Sequence, residues 1–333
     1  MKKEKEQLLK IIDRFQQKTI TVWGDLILDE YLYGTTRRIS REAPVLIIRY
    51  RSKELSLGGG GNSLLNLKAL GANPVPVGVV GKDDSGKRIL KILKQLGMSI
   101  ESVLIEKAFQ TPIKTRILAG EESTRKQQVL RIDKEAKVPE TNDLKKRLLN
   151  SLRKAHHQTD ALLISDYNYF TVKEDLFRKI LPRLKKSRKP VALDSRFRLT
   201  DFEGVTVLTP NEPEVEHALH IELKDNKEMV RKAGRRLLNR TKAEAVLITR
   251  GSKGMVLFER RRPPLVIPIH GSTDIVDVTG AGDTVISVFT LALTCGATFK
   301  QAAQLANYAG GIVVMKKGTA TLSPQELKEA IGS

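Results

Sequence analysis

Two carboxylates enclose a short glycine-rich segment near the C-terminus, Asp277-Val-Thr-Gly-Ala-Gly-Asp-Thr284, and an apolar run follows at once. If that run is a helix, the backbone N–H groups of Gly280, Ala281 and Gly282 lie at its positive end. Such an end binds phosphate, or stabilises charge developing on a phosphate during transfer. Asp283 then accepts a proton from an attacking hydroxyl, while the first carboxylate shapes the loop. An ordinary capped helix is the alternative.

A second glycine-rich stretch, Gly58-Gly-Gly-Gly-Asn62, opens a predicted helix. Four glycines cost conformational entropy, so their presence indicates close approach to bare backbone. We interpret this stretch as a surface for a polyol, with the Asn62 amide forming hydrogen bonds to it. A simple hinge is the alternative.

Asn211 and Glu214 follow a predicted strand, in the segment Thr209-Pro-Asn-Glu-Pro-Glu214. Residues three apart at a helix start face one side, where this pair could hold a hydrated Mg²⁺ ion. A reciprocal helix cap is the alternative.

Two nucleotide-binding patterns are incomplete. The segment Gly81-Lys-Asp-Asp-Ser-Gly-Lys-Arg88 has P-loop spacing, but Arg88 replaces the hydroxyl that reaches magnesium. Its two aspartates would repel phosphate, so we predict a helix start capped by Asp84 or Ser85. No complete G-x-G-x-x-G follows the first strand, which disfavours a hydride-transfer enzyme.

Composition narrows the class of protein. The chain has 333 residues, 40% hydrophobic and 29% charged, which is typical of a soluble globular protein. No apolar run approaches the roughly 20 residues that span a bilayer, and the charged N-terminus is unlike a signal peptide, so we expect no membrane association. The single cysteine, Cys295, excludes an intrachain disulfide framework and favours the cytoplasm.

The net charge of +20 first suggests nucleic acid. The basic residues, however, are spread through mixed helical runs, without an aromatic-interleaved basic block. We therefore expect a solvated basic surface that favours polyanionic substrates, and no nucleic-acid partner. A non-catalytic protein that binds nucleotide or nucleic acid remains the alternative from another class.

Alternating strands and helices predict an α/β fold with a mostly parallel sheet, whose ligands bind beyond the carboxyl ends of the strands. Two regions, approximately residues 31–56 and 109–133, are β-rich without intervening helices. We predict that they form a small lid over that edge, within a single domain spanning residues 1–333.

Together these segments resemble the ribokinase-like (PfkB) carbohydrate kinase family. Its glycine-rich segment, N-x-x-E pair, glycine loop and D-x-T-G-A-G-D segment occur here in order at Gly58–Asn62, Asn211–Glu214, Thr249–Gly254 and Asp277–Asp283. The resemblance covers nearly the whole chain. It implies a three-layer ribokinase-like fold with a β lid, an ATP-dependent sugar kinase using Mg²⁺, possible monovalent-cation activation, and a homodimer built through the lid.

The resemblance also implies roles for individual residues. Asp283 would be the base, and Gly280 to Gly282 would bind the transferring phosphoryl group. Asn211 and Glu214 would organise Mg²⁺, through water for Asn211. The nucleotide would contact Thr249, Gly251, Gly254 and Asn307, and the sugar would contact Asp29, Gly58, Gly59, Asn62 and Asp166.

The segment Tyr33-Gly-Thr-Thr-Arg-Arg-Ile-Ser-Arg-Glu-Ala-Pro-Val45 resembles the R-I-S-P-E-A-P-V of family members that phosphorylate the anomeric position of D-glycero-D-manno-heptose 7-phosphate, a step towards ADP-heptose and lipopolysaccharide. Cationic residues of the predicted lid would then neutralise the distal phosphate, with a solvated lid face as the alternative; these are Arg38, Lys114, Arg116 and Arg131.

Three departures weigh on the substrate. Arg41 replaces a proline of that segment, Asp166-Tyr-Asn-Tyr-Phe170 replaces the family's D-Y-x-K-G, and Asp194-Ser-Arg196 replaces D-P-K. Fructose 6-phosphate, tagatose 6-phosphate, fructose and ribose are therefore the alternative acceptors.

Overall fold

The computed structural model describes residues 2–121, 126–271 and 275–332, without the side chains of Lys2, Arg37 and Arg38. Its strands are β1 Thr19–Gly24, β2 Leu26–Ile39, β3 Leu46–Gly59, β4 Asn73–Gly81, β5 Val103–Glu106, β6 Ile113–Gly120, β7 Gln127–Lys134, β8 Ala161–Asp166, β9 Val191–Ser195, β10 Val207–Leu208, β11 Ala245–Thr249, β12 Met255–Glu259 and β13 Leu265–Ile267. Its helices are α1 Lys2–Ile12, α2 Gly60–Ala69, α3 Asp84–Gln95, α4 Asn142–Gln158, α5 Glu174–Ser187, α6 Glu212–Leu219, α7 Lys227–Arg240, α8 Ala281–Thr294, α9 Phe299–Val313 and α10 Pro324–Gly332. Among these helices, none combines the length and the apolar character that a membrane span requires.

A nine-stranded sheet forms the centre of the molecule, in the order β13-β12-β11-β10-β9-β8-β1-β4-β5. Strands β12 and β13 are antiparallel to their neighbours, and the other pairs are parallel. All six residues of β8 are buried, as expected for a strand with both faces covered. The mostly parallel sheet predicted from the sequence is confirmed.

Helices cover both faces of this sheet. Apolar side chains of α4, α5, α6 and α7 pack on one face around Trp23 and Phe177. Helices α1, α2, α3, α8, α9 and α10 pack on the other face around Phe15 and Phe289. The two clusters give the three-layer arrangement expected of a doubly wound sheet.

A second sheet, with the order β3-β2-β6-β7, leaves the carboxyl end of β1 and forms the lid. Strand β2 begins at Leu26, two residues after β1 ends, so the lid rises directly from the edge where ligands are expected. It starts earlier than the predicted residue 31, because β2 pairs with β3 continuously from Leu26 opposite Gly59. The β2–β6 pairing is parallel and the outer pairings are antiparallel.

The predicted cap of α3 is wrong by one or two residues. Asp83, rather than Asp84 or Ser85, caps the helix through the N–H of Gly86. Its carboxylate also accepts hydrogen bonds from the backbone N–H and hydroxyl of Thr111, which tie the helix start to the chain entering the lid. An aspartate committed in this way closes the turn to phosphate, which agrees with rejection of a P-loop.

Candidate active site

Asp283 lies in the first turn of α8 and is 3% exposed. Its Oδ2 accepts a hydrogen bond of 2.9 Å from Asn62 Nδ2, and its Oδ1 lies 3.1 Å from the phenol oxygen of Tyr167. Burial raises the pKa of Asp283 to about 6, although both hydrogen bonds and the charge of Arg196 act in the opposite direction. A carboxylate with a pKa near neutrality suits a general base.

The start of α8 is open to an anion. Gly280 caps the helix with a φ of +77°, and no side chain in the described ranges forms a capping hydrogen bond. The N–H of Ala281 donates to the Val278 carbonyl at 3.2 Å, whereas the N–H groups of Gly280 and Gly282 have no partner in the described part of the chain. A Cβ at Gly282 would meet nothing within 4 Å. Two N–H groups of the predicted anion hole are therefore unpaired among the described residues, at the positive end of the helix.

Asp277 shapes the loop before α8, as predicted. Its Oδ1 accepts from the N–H of Thr279 and its Oδ2 from that of Gly318, both at 2.9 Å. The two carboxylates of the segment therefore differ in role, because Asp277 binds backbone N–H groups and Asp283 binds the side chains of Asn62 and Tyr167.

A cleft lined by Tyr31, Arg116, Asp277 and Thr279 separates the lid from the loop before α8. Asp29 lies beside Arg116 on the lid and is 2% exposed. Its Oδ1 accepts from Arg116 Nη1 at 2.7 Å, while Oδ2 has no hydrogen bond from the described residues. Gly58 makes room for this carboxylate, since a Cβ there would stand 2.5 Å from Oδ2. Gly59, at a φ of +58°, brings the backbone against the carbonyl of Asp25, where a Cβ would stand at 2.7 Å. These glycines serve close approach, and one oxygen of Asp29 remains for a ligand.

Asn211 and Glu214 cap α6 reciprocally, each side chain accepting the other's backbone N–H at 2.9 Å. The capping alternative is therefore observed, and it leaves Glu214 Oε1 without a bond from the described residues. Burial raises the pKa of Glu214 to about 7. Burial, followed by the charges of Glu214 and Asp283, raises the pKa of Asp194 well above its ordinary value.

These three carboxyls therefore lie near one another. Yet no group of three or more ligating side chains in the described ranges is close enough to hold a metal ion directly. The arrangement fits a hydrated cation.

The predicted nucleotide residues divide into two groups. Gly251, at a φ of +54°, borders open space, and Thr249 pairs with Asn211 at the end of β11. Gly254 is required by packing, because a Cβ there would stand 2.2 Å from the carbonyl of Ile267. Asn307 donates its amide to the Pro268 carbonyl at 2.9 Å, so it holds the loop after β13.

Two predicted sugar ligands have other partners. Both oxygens of Asp166 bind the Arg198 guanidinium, and the Ser195 hydroxyl and the Asn168 N–H add two further bonds. Asp166 is 1% exposed, and we therefore correct its assignment to a positioning residue. Arg131 is exposed and bound bidentately to Asp133. The side chain of Arg38, a third candidate, lies outside the described residues.

Sequence reasoning missed the loop 167–171, which carries Tyr167 to the base. Asp25, completely buried, accepts the backbone N–H groups of Tyr167, Tyr169 and Thr171. Phe170 adopts a φ of +67° where the family has glycine, a conformation that Phe pays for with strain. The sequence did contain a signal for this loop. The segment Asp166-Tyr-Asn-Tyr-Phe170 departs from the family's D-Y-x-K-G but retains its tyrosine as Tyr167.

Comparison with known proteins identifies the family. Residues 17–326 match the pfkB family carbohydrate kinases. The bifunctional protein HldE of Pelobacter propionicus is 35% identical over 331 residues, which are 98% of this chain and 66% of that protein. HldE of Geobacter metallireducens is 38% identical over 312 residues, 93% of this chain and 62% of that protein. The chain thus spans just under two thirds of these relatives. It belongs to the pfkB family of carbohydrate kinases and is an ATP-dependent sugar kinase.

Solved structures agree on the fold. The ribokinase of Arabidopsis thaliana complexed with ribose and ATP has a TM-score of 0.70 at 20% identity, covering 95% of this chain and 99% of that one. Phosphofructokinase-2 of Escherichia coli in complex with potassium has a TM-score of 0.74 at 18% identity, covering 95% and 98%. The predicted ribokinase-like fold with its lid is confirmed.

Proposed function

We propose that this kinase transfers the γ-phosphoryl group of ATP to the anomeric hydroxyl of D-glycero-D-manno-heptose 7-phosphate, giving the 1,7-bisphosphate used for ADP-heptose and lipopolysaccharide. The observation that carries the proposal is the segment Tyr33–Val45, which resembles the R-I-S-P-E-A-P-V of that branch, in a chain similar to HldE over 93–98% of its length. Lys114 of the lid, which forms no ion pair with a described residue, suits a phosphorylated acceptor.

In this proposal the anomeric hydroxyl lies against Asp283. Its proton passes to the carboxylate as its oxygen attacks the γ-phosphorus, and the bond from that phosphorus to the β–γ bridging oxygen breaks to release ADP. The free N–H groups of Gly280 and Gly282 stabilise the charge that spreads over the transferring group. Asn62 and Tyr167 hold the carboxylate in line, so positioning and electrostatics supply most of the rate.

We propose that Mg²⁺ accompanies ATP, bound through water near Glu214 and Asp194. When bound, the cation supplies charge neutralisation of the nucleotide phosphates. Burial, and after it the charges of neighbouring carboxylates, raises the pKa values of both carboxyls. These shifts support the placement, because a nearby cation would stabilise the ionised forms. Activation by a monovalent cation belongs to the same proposal and is tested by replacing potassium with tetramethylammonium.

We further propose a homodimer through the outer face of the lid, in the cytoplasm where ATP is available. Leu130 and Ile132, 54% and 48% exposed, alternate with Arg131 on β7 and so lie on the face opposite the cleft. Exposed apolar strands of this kind favour pairing. Leu130→Asp with Ile132→Asp should give monomers by light scattering, whereas Ile105→Asp, an exposed residue of β5, should not.

A panel of acceptors under saturating MgATP tests the function. We expect kcat/KM for D-glycero-D-manno-heptose 7-phosphate to exceed that for fructose 6-phosphate, tagatose 6-phosphate, fructose and ribose by at least about 100-fold, a difference of roughly 2.7 kcal/mol. Asp283→Asn is the matched inactive control. Turnover on an unphosphorylated sugar alone would reject the assignment.

A further inference from the structure

Two cations border the same aromatic ring, that of Tyr167. Lys114 Nζ lies 5.0 Å and Arg196 Cζ lies 4.7 Å from the centroid of Tyr167. The phenol oxygen of that ring is within 3.2 Å of both oxygens of Asp283. The Tyr167 side chain therefore lies between the two cations and the base.

Carboxylates lie near both cations without pairing directly with either. The charges of Asp29 and Asp133 act to raise the pKa of Lys114. The charge of Arg196 acts to lower the pKa of Asp283. Lys114 is 6% exposed, and Arg196 lies exposed after β9, yet neither forms an ion pair or a side-chain hydrogen bond within the described ranges. Burial, followed by the charge of Arg196, lowers the pKa of Lys114 to about 8. Two like charges held around one ring, neither in a direct ion pair with a described residue, are stabilised when an anion bonds to both.

The other predicted lid cations differ in this respect. Arg116 forms an ion pair with Asp29, and Arg131 forms one with Asp133. The guanidinium of Arg196 keeps its fork of donors, which matches two phosphate oxygens.

We propose that Lys114 and Arg196 form a clamp around Tyr167 for the phosphate monoester of the acceptor, and so select phosphorylated over unphosphorylated sugars. The clamp rests on the proposed function insofar as the acceptor carries a phosphate. Arg196, which stands where the family has the lysine of D-P-K, takes the anion from the sheet, and Lys114 takes it from the lid. The sugar then extends along Tyr167 to place its reacting hydroxyl on Asp283.

Steady-state kinetics with Arg196→Gln and Lys114→Met test the clamp. Each variant should raise KM for the phosphorylated sugar about 10- to 100-fold, the loss expected for one charged hydrogen bond, and leave KM for ATP within about twofold. Arg196→Lys should recover part of the loss. Lys137→Met is the matched control, since Lys137 Nζ lies 4.8 Å from the centroid of a different ring, that of Phe170.

A second readout separates binding from folding. Because the charge of Arg196 lowers the pKa of Asp283, Arg196→Gln should also move the acidic limb of kcat to higher pH. A rise in KM for ATP instead of the sugar would assign Arg196 to the nucleotide phosphates and overturn the clamp, as would unchanged KM for both.

The panel of acceptors distinguishes this failure from failure of the proposed function. If fructose 6-phosphate or tagatose 6-phosphate is the better substrate, the heptose assignment fails, and the clamp is judged on KM for that phosphate. If the heptose phosphate is the substrate but Arg196→Gln leaves its KM unchanged, only the clamp fails. Turnover of unphosphorylated sugars alone overturns both.

Discussion

Asn62 Nδ2 donates to Asp283 Oδ2 at 2.9 Å, and this bond joins the first turn of α2 to the first turn of α8. The same amide lies 3.4 Å from the Gly280 carbonyl. Two helices that begin at glycine-rich turns, more than 200 residues apart in the chain, thus meet at the base. The asparagine was expected to bind the sugar, but its amide NH₂ is committed to orienting the carboxylate.

Asn62→Ala should therefore act on the base rather than on acceptor affinity. The Asn62 bond lowers the pKa of Asp283, so its loss should raise that pKa and shift the acidic limb of the kcat profile upward. We expect kcat at neutral pH to fall about tenfold. Ser63→Ala changes the next residue of α2, whose buried hydroxyl has no hydrogen-bond partner among the described residues, and should leave the profile unchanged. A rise in KM for the sugar with an unshifted profile would instead support the original assignment of Asn62.

Asp283→Asn should lower kcat by about 10²- to 10⁴-fold, since it removes the proton acceptor while keeping the shape of the side chain. ATP affinity, measured by equilibrium titration, should change little, because the N–H groups at the start of α8 remain. Asp84→Asn is the matched control, an exposed acid in the first turn of α3. A kcat within threefold of wild type would exclude Asp283 as the base.

The same substitution should stabilise the fold. Burial raises the pKa of Asp283 to about 6, against an ordinary value of about 4, so the folded state binds a proton more tightly than the unfolded state. Ionised Asp283 therefore costs stability above pH 6, a cost that shrinks as pH falls towards 4. At pH 7.5 we expect Asp283→Asn to have a higher melting temperature than wild type and a free energy of unfolding larger by on the order of 1–3 kcal/mol. The difference should narrow at pH 4.5. A constant difference across this range would contradict the raised pKa.

Local patterns were enough to predict the sheet, the lid and the role of Asp277. An apolar strand or a capped helix can be recognised from a few consecutive residues, as in β11 at Ala245–Thr249. The position of Asp283 in a helix start could be predicted in the same way, because a helix start and an acid in its first turn are local features.

Contacts between distant segments could not be predicted. Asp166 binds Arg198, which lies 32 residues away in the chain. The two cations beside Tyr167 also come from distant segments, Lys114 from the lid and Arg196 from the end of β9 in the central sheet. A single sequence shows which residues carry charge, but neutralisation depends on which carboxylate folds against them. That is why Arg131 was an equal candidate to Lys114 until its bidentate bond to Asp133 was seen.

Asp166→Ala should lower the free energy of unfolding and should affect sugar binding less. The substitution leaves the Arg198 guanidinium without its buried partner, so we expect a loss of about 3–5 kcal/mol in urea unfolding. Asp143→Ala breaks an exposed pair with Arg147 on α4 and should cost less than about 1 kcal/mol. An unchanged unfolding midpoint together with a higher KM for the sugar would return Asp166 to the substrate site.

The two glycines at the start of α8 should respond differently to alanine. At Gly280 the φ of +77° disfavours any side chain, and a Cβ would stand 2.4 Å from Asn62 Nδ2, the donor that orients the base. Gly280→Ala should therefore destabilise the fold by about 1–3 kcal/mol and lower kcat more than tenfold. Gly282 has no such neighbour within 4 Å, so Gly282→Ala should unfold like wild type, and any loss of turnover should come from its methyl group facing the phosphoryl group. Chemical denaturation and kcat measured on both variants decide the point, and equal destabilisation by the two substitutions would show that the glycines serve the turn rather than the site.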